Sequence, residues 1–262
     1  MAAPANPLRR QQAGILATLA ILTLAAWVAL TVQARGMGSM ATSLTMGMDL
    51  VLFLAVWLVM MAAMMFPAAA PMILTFARVQ AGKRQQGGAP VSTWLFVGAY
   101  LAVWGAVGVI AYVAAAGAEQ LGNAVPWIGS NGPRLGGAIL VAAGIYQLTP
   151  LKHVCLRQCR SPIAFVLTSW RDGAAGALQM GVRHGLYCLG CCWLLFAILF
   201  PLGMWNLALL ALVTLLIFAE KSLPFGNRLS GAIAAVLVAY GIAVLVSPGI
   251  LPVQPPHGTM PM

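Results

Sequence analysis

The chain has 262 residues, of which 61% are hydrophobic and only 7% charged, with a formal net charge of +10. An ordinary soluble domain carries about 25% charged residues, and several apolar runs here reach the roughly 20 residues that cross a bilayer, so a soluble fold is excluded. Continuous apolar blocks rather than alternation exclude a β-barrel, and positive charge confined to short loops excludes a nucleic-acid partner.

The expected fold is all-α: a polytopic membrane helical bundle of about seven transmembrane helices. Spans fall near 14–32, 50–76, 92–117, 134–150, 180–200, 203–219 and 229–247, inside one bundle of residues 14–250. A short segment, 1–13, precedes it and a Met/His tail, 251–262, follows. Basic residues alternate with poorly charged loops. Arg9 and Arg10 precede the first span, and Arg78, Lys83 and Arg84 follow the second. Lys152, Arg157, Arg160, Arg171 and Arg183 separate the fourth from the fifth, and Lys221 and Arg228 the sixth from the seventh. The positive-inside rule then gives a cytoplasmic N-terminus and an extracytoplasmic C-terminus. The first run is expected to be a retained helix, because Gln33 and Arg35 interrupt the small residues Ala34 and Gly36.

The first outer loop holds Met37, Met40, Met46 and Met48, and the tail holds His257, Met260 and Met262. Thioethers suit Cu(I), since soft ligands prefer soft metals, and both segments are candidate capture points. Asp49 is placed to cap the second span. In that span Trp57, Met60, Met61, Met64, Met65 and Met72 project into an arc of roughly 140° on a regular helix. Pro67 and Pro71 each lack an N–H, so a kink near residues 63–67 is expected, with the helix inside the bundle. Flexible core packing and soft-metal ligation both account for methionines in this pattern.

Residues 152–179 form the longest inner loop. His153, Cys155 and Cys159 lie between Pro150 and Pro162, which bound a short juxtamembrane helix whose two thiols share a face. Gly173 to Gly176 form a hinge before the fifth span. The densest chemistry follows, in Arg183-His184-Gly185-Leu186-Tyr187-Cys188-Leu189-Gly190-Cys191-Cys192-Trp193. At about 100° per residue, His184, Cys188, Cys191 and Cys192 fall within an arc of roughly 100°. Vicinal Cys191 and Cys192 point about 100° apart, so one of them is expected to serve as a ligand. Arg157, Arg160 and Arg183 are the cations expected to favour thiolates.

Free cysteines also serve as small packing residues, but an imidazole and three thiols on one face exceed what packing asks. Two to four thiolates with an imidazole would hold Cu(I), or alternatively Zn(II). Cys188 and Cys191 also form a C-x-x-C pair, so a membrane thiol–disulfide oxidoreductase is the alternative enzyme class. A non-catalytic assembly subunit of a membrane complex is the third reading. No phosphate loop, triad or carboxylate pair appears, and Glu220 and Lys221 are expected to end the sixth span at the headgroups.

Three blocks carry a resemblance. They are Trp57-x2-Met60-Met61-x2-Met64-Met65-x-Pro67-x3-Pro71-Met72, then Tyr146-Gln147-Leu148-Thr149-Pro150-Leu151-Lys152-His153-x-Cys155-Leu156-x2-Cys159-Arg160-Ser161-Pro162, and Gly181-x-Arg183-His184-Gly185-x-Tyr187-Cys188-Leu189-Gly190-Cys191-Cys192-Trp193. Met204-x-Asn206-Leu207 and Glu220-Lys221 follow in order. Together they resemble domain-of-unknown-function family 2182, described as predicted metal-binding integral membrane proteins of bacteria. The resemblance covers about residues 50–225 and implies a metal-related role. The resulting expectation is a bilayer-embedded protein that buffers, transfers or delivers Cu(I) or Zn(II), with a metal chaperone or membrane complex as its partner. Met60, Met61, Met64 and Met65 would be intramembrane steps. His184, Cys188, Cys191 and Cys192 would form the inner site, with His153, Cys155 and Cys159 folded against it.

Overall fold

The computed structural model describes residues 7–36, 44–45, 47–87, 89, 91–204 and 206–251. Met37, Met40, Met46 and the tail with His257, Met260 and Met262 lie outside the described residues. The described chain is helical, as its continuous apolar blocks require. The helices are α1 (Pro7–Gly36), α2 (Leu50–Gln85), α3 (Thr93–Ala124), α4 (Pro126–Ser130), α5 (Gly132–Tyr146), α6 (Pro150–Arg160), α7 (Pro162–Ser169), α8 (Gly173–Ala197), α9 (Leu199–Leu202), α10 (Leu207–Ser222) and α11 (Gly226–Val246). A 3-10 turn, Pro248–Ile250, follows α11.

Caps set several of these boundaries. Leu52 N–H donates to Asp49 Oδ1 at 2.9 Å, so Asp49 opens α2 as its sequence position implied. Asn206 opens α10 by accepting from Leu209 N–H at 3.1 Å. Thr149 caps α6, with Pro150 in its first turn, where the missing N–H costs nothing. Pro162 begins α7, so both prolines bound α6 as expected. The sharp turn before α10 runs through Gly203 at φ 99°, a conformation that favours glycine.

Five helices are long and apolar enough to cross a membrane, or six if the bent pair α5–α6 counts as one span. That pair bends by 64°. The expected sixth span is the 16-residue α10, about 24 Å long at 1.5 Å per residue and shorter than a hydrocarbon core of about 30 Å. The bundle turns large apolar side chains outward, among them Val51, Ile163, Leu167 and Val246, each two-thirds exposed or more. In water such a surface would aggregate, and in lipid it is solvated. The expectation of a helical membrane bundle therefore holds.

α2 carries Pro67 and Pro71 inside one continuous 36-residue helix. Its methionine side faces inward, with Met60, Met61, Met64, Met65 and Met72 all buried. α2 packs on α1 and α3, α3 on α8, α6 on α8, and α5 on α11. Small residues permit the closest of these approaches. A Cβ at Gly181 would stand 2.4 Å from Phe96 O, and one at Gly185 2.9 Å from Val103 Cγ2. These two glycines, one turn apart on α8, let α3 lie almost backbone to backbone against it.

Candidate metal centre

Cys188 sits at the meeting point of four helices. α8 begins at Gly173, seven residues before the expected start of the span, which puts Cys188 about 22 Å along the helix. The cysteine face therefore lies mid-helix in α8 rather than near its start. Its Sγ lies 3.8 Å from Met65 Sδ of α2, 3.2 Å from Tyr100 Oη of α3 and 3.0 Å from Lys221 Nζ of α10. The side chain is fully buried, and Met65 and Tyr100 are at most 1% exposed.

The remaining thiols gather around it. Cys155 and Cys159 face α8 from α6, both buried. Cys159 meets the thiols of Cys188 and Cys191. Cys155 packs on Gly190, where a Cβ would fall 2.6 Å from its Sγ. With any side chain at Gly190, α6 could not approach so closely, and Tyr146 at the end of α5 holds the same glycine by donating from Oη to Gly190 O at 2.5 Å. Cys191 and Cys192 donate their thiol protons to Cys188 O, at 3.0 and 2.8 Å. No disulfide is formed by any of the five cysteines.

His184 lies one turn before Cys188 and is 2% exposed. Its ring is stacked with Phe96 at 5.8 Å and Tyr100 at 5.4 Å, and Phe165 of α7 meets it edge-on at 5.7 Å. Neither Nδ1 nor Nε2 has a hydrogen-bond partner. Leaving a buried donor or acceptor unsatisfied costs about 1–3 kcal/mol, so an aromatic box built around an imidazole with two such nitrogens needs a reason beyond packing.

The structure brings together His184, Cys188, Cys191, Cys192, Cys155, Cys159 and Met65. Met60, Met61 and Met64 line the same buried side of α2, and Met65 is the one placed against Cys188 Sγ. His153 is half-buried and stands off the face of α6 defined by Lys152, Cys155, Leu156 and Cys159, so it does not join the group. Among the described residues, no three His, Cys, Asp or Glu side chains are arranged to hold a metal ion. The cause is visible: two thiols are turned back onto the Cys188 carbonyl, and a thiol that ligates must first give up that proton. Rotation of χ1 at Cys191 or Cys192 would free a sulfur. The donor set is soft throughout, and two sulfurs on one ion at about 2.3 Å stand about 3.8 to 4.6 Å apart, from tetrahedral to linear. The Cys188–Met65 spacing of 3.8 Å already meets that range.

Charge arrives differently from the sequence expectation. Arg160 bonds the carbonyls of Leu223 and Pro224, and Arg183 lies over the Tyr187 ring. The cation at the thiols is Lys221, 8% exposed. Its neighbour Glu220 faces away, held by Lys152 Nζ at 2.8 Å to both carboxylate oxygens and by Ser230 Oγ at 2.7 Å. Gln147 Oε1 completes the Lys152 shell. Lys152 is 0% and Glu220 2% exposed. Glu220 and Lys221 do stand in the last turn of α10, but both are buried in the bundle, and Lys152 is not a solvated loop charge. An acidic–basic pair closing an apolar helix was the available signal, since burial of either residue demands a partner.

Fold and site together define a multi-pass helical membrane protein whose interior holds a thiol, thioether and imidazole cluster. The chain belongs to the PpoB2 family, described as copper chaperones, which it matches over residues 54–244. The matched range takes in α3 to α10 whole and with them every residue of the cluster. A metal-related family was the expectation from the three sequence blocks, and copper is the metal this family is described by. Among curated proteins and among solved structures, nothing matches the chain.

Proposed function

We propose that the protein binds Cu(I) at the Cys188 cluster within the bilayer and passes it on as cargo, acting in copper buffering or delivery. The observation that carries this reading is His184: an imidazole, buried among aromatic rings, with both nitrogens unpartnered one turn from Cys188. Cys188 and one of Cys191, Cys192 or Cys159 would supply thiolates, Met65 a thioether and His184 a nitrogen. This set favours Cu(I) over Zn(II), because a thioether and thiolates suit a soft ion. Met60, Met61 and Met64 extend thioethers along α2 from this point and would serve as weaker steps.

The proposed orientation has a cytoplasmic N-terminus and an extracytoplasmic C-terminus. Two contacts support the alternation of sides on which it rests, and the sign of the loop charges sets which side is inside. Lys83 pairs with Asp172, joining two loops assigned to the inside by charge. Thr45 Oγ1 and N–H both donate to Glu119, joining two loops assigned to the outside. The test is metal analysis of the purified full chain loaded with Cu(I) in detergent. Retention of copper by wild type and its loss in Cys188→Ser is expected. No retained copper, or equal retention by Cys188→Ser, overturns the reading.

A further inference from the structure

We infer that Lys221 sets the charge selectivity of this cluster, admitting a monovalent soft ion and rejecting a divalent one. The inference rests on the copper reading and names what decides between the candidate cargoes. An ammonium inside an apolar bundle is expensive to desolvate and persists where a partner is fixed beside it. Here the partner is a sulfur, Cys188 Sγ at 3.0 Å.

The chain has four acidic residues, and each is engaged elsewhere. Asp49 caps α2, Glu119 meets Thr45, Asp172 pairs with Lys83, and Glu220 pairs with Lys152. No carboxylate is therefore bonded to Lys221 to offset its charge. Cys159, Cys188, Cys191 and Cys192 all lie within its electrostatic reach, and it serves the cluster as a whole.

A metal bonded to Cys188 at about 2.3 Å stands no farther than about 5.3 Å from the ammonium. Repulsion between the two cations scales with the charge of the ion, so a divalent ion meets twice the penalty of a monovalent one. The cost of ionising the thiols is common to both ions and cancels in their ratio. One extra unit of charge at that distance, through an effective dielectric of about 20, corresponds to discrimination on the order of a hundredfold. For two ions held by the same thiolates their number does not enter, and the prediction is made for that shared set.

The experiment compares Cu(I) and Zn(II) affinities of the full-length protein in detergent, each by competition with a chromophoric chelator. Variants are Lys221→Met and Lys221→Gln, which remove the charge, and Lys221→Arg, which keeps it. The expected result is a Zn(II)-to-Cu(I) affinity ratio raised on the order of a hundredfold in either neutral variant and held within a few-fold in Lys221→Arg. Two neutral variants of different polarity guard against misfolding of one, and a folded Lys221→Glu would push the ratio further in the same direction. Wild type that binds Cu(I), with neutral variants whose ratio is unchanged, overturns this inference alone. Wild type that binds neither ion overturns the copper reading and this inference with it.

Discussion

Replacing Glu220 by Gln should be among the most damaging near-isosteric changes in the bundle. The carboxylate is 2% exposed and accepts from Lys152 Nζ at 2.8 Å on both oxygens and from Ser230 Oγ at 2.7 Å. Gln keeps one acceptor and removes the charge, leaving the Lys152 ammonium, 0% exposed, with two neutral carbonyl partners. Breaking a buried pair from one side costs about 3–5 kcal/mol, because the remaining ion stays desolvated. Glu220→Leu should lie at the upper end of that range. Lys152→Met combined with Glu220→Leu should recover most of the loss, since an apolar pair of similar volume has no charge to desolvate. Unfolding in mixed micelles by increasing mole fraction of sodium dodecyl sulfate, followed by circular dichroism, measures each variant. A Glu220→Gln protein within about 1 kcal/mol of wild type, or a double variant as weak as the single, would refute the reasoning.

Other predictions follow from single contacts. His184→Phe should fill the aromatic box and remove two unsatisfied nitrogens, gaining about 1 kcal/mol in the same unfolding assay while Cu(I) affinity falls at least tenfold. Gly190→Ala should cost about 1–3 kcal/mol by overpacking against Cys155 Sγ, and Cys155→Ala should relieve most of that cost in the double variant. Gly144→Val drives side-chain atoms toward Ala234 O, 2.9 Å from the Cβ position, where the obstacle is backbone. A thermal shift in detergent should show that substitution losing more than Gly190→Ala does. Maleimide labelling of the folded protein should be slow at all five cysteines and reach five per chain only after denaturation, as their burial requires.

The helical bundle was legible because lipid imposes it: continuous apolar blocks have no other way to satisfy their backbone. The cysteine face of α8 was legible for a related reason, since helical periodicity places His184 and Cys188 together whatever surrounds them. Periodicity along one helix says nothing about which other helix faces it. That Met65, rather than Met60, Met61 or Met64, meets Cys188 depends on where α2 crosses, and the small residues that set the crossings lie on other helices. The prolines do not end α2, because a missing N–H removes one bond and a buried 36-residue helix has enough packing to continue through it. Lys152 and Lys221 were counted as topology signals, which is the commoner use of a lysine beside an apolar run. Their burial became visible once α6, bent by 64° from α5, laid Lys152 against Glu220 of α10, the helix that carries Lys221. His153 failed to join because α6 buries the opposite side.

One helix carries both Cys159 and Lys152, and this couples stability to route. The ion pair anchors α6 to α10, so the Cys159 arm cannot swing outward without exposing an uncompensated charge to hydrocarbon. An exit that depended on lifting this arm would therefore be slow. Transfer between sulfurs already in contact needs only side-chain rotation, on a timescale of nanoseconds in exposed residues and longer in a packed interior. The anchor thus separates two kinetic regimes: rapid hopping inside a closed vessel, and rare opening of its wall. Under the proposed copper-carrying function that separation is an advantage, because cargo would be handed along without meeting water on the way.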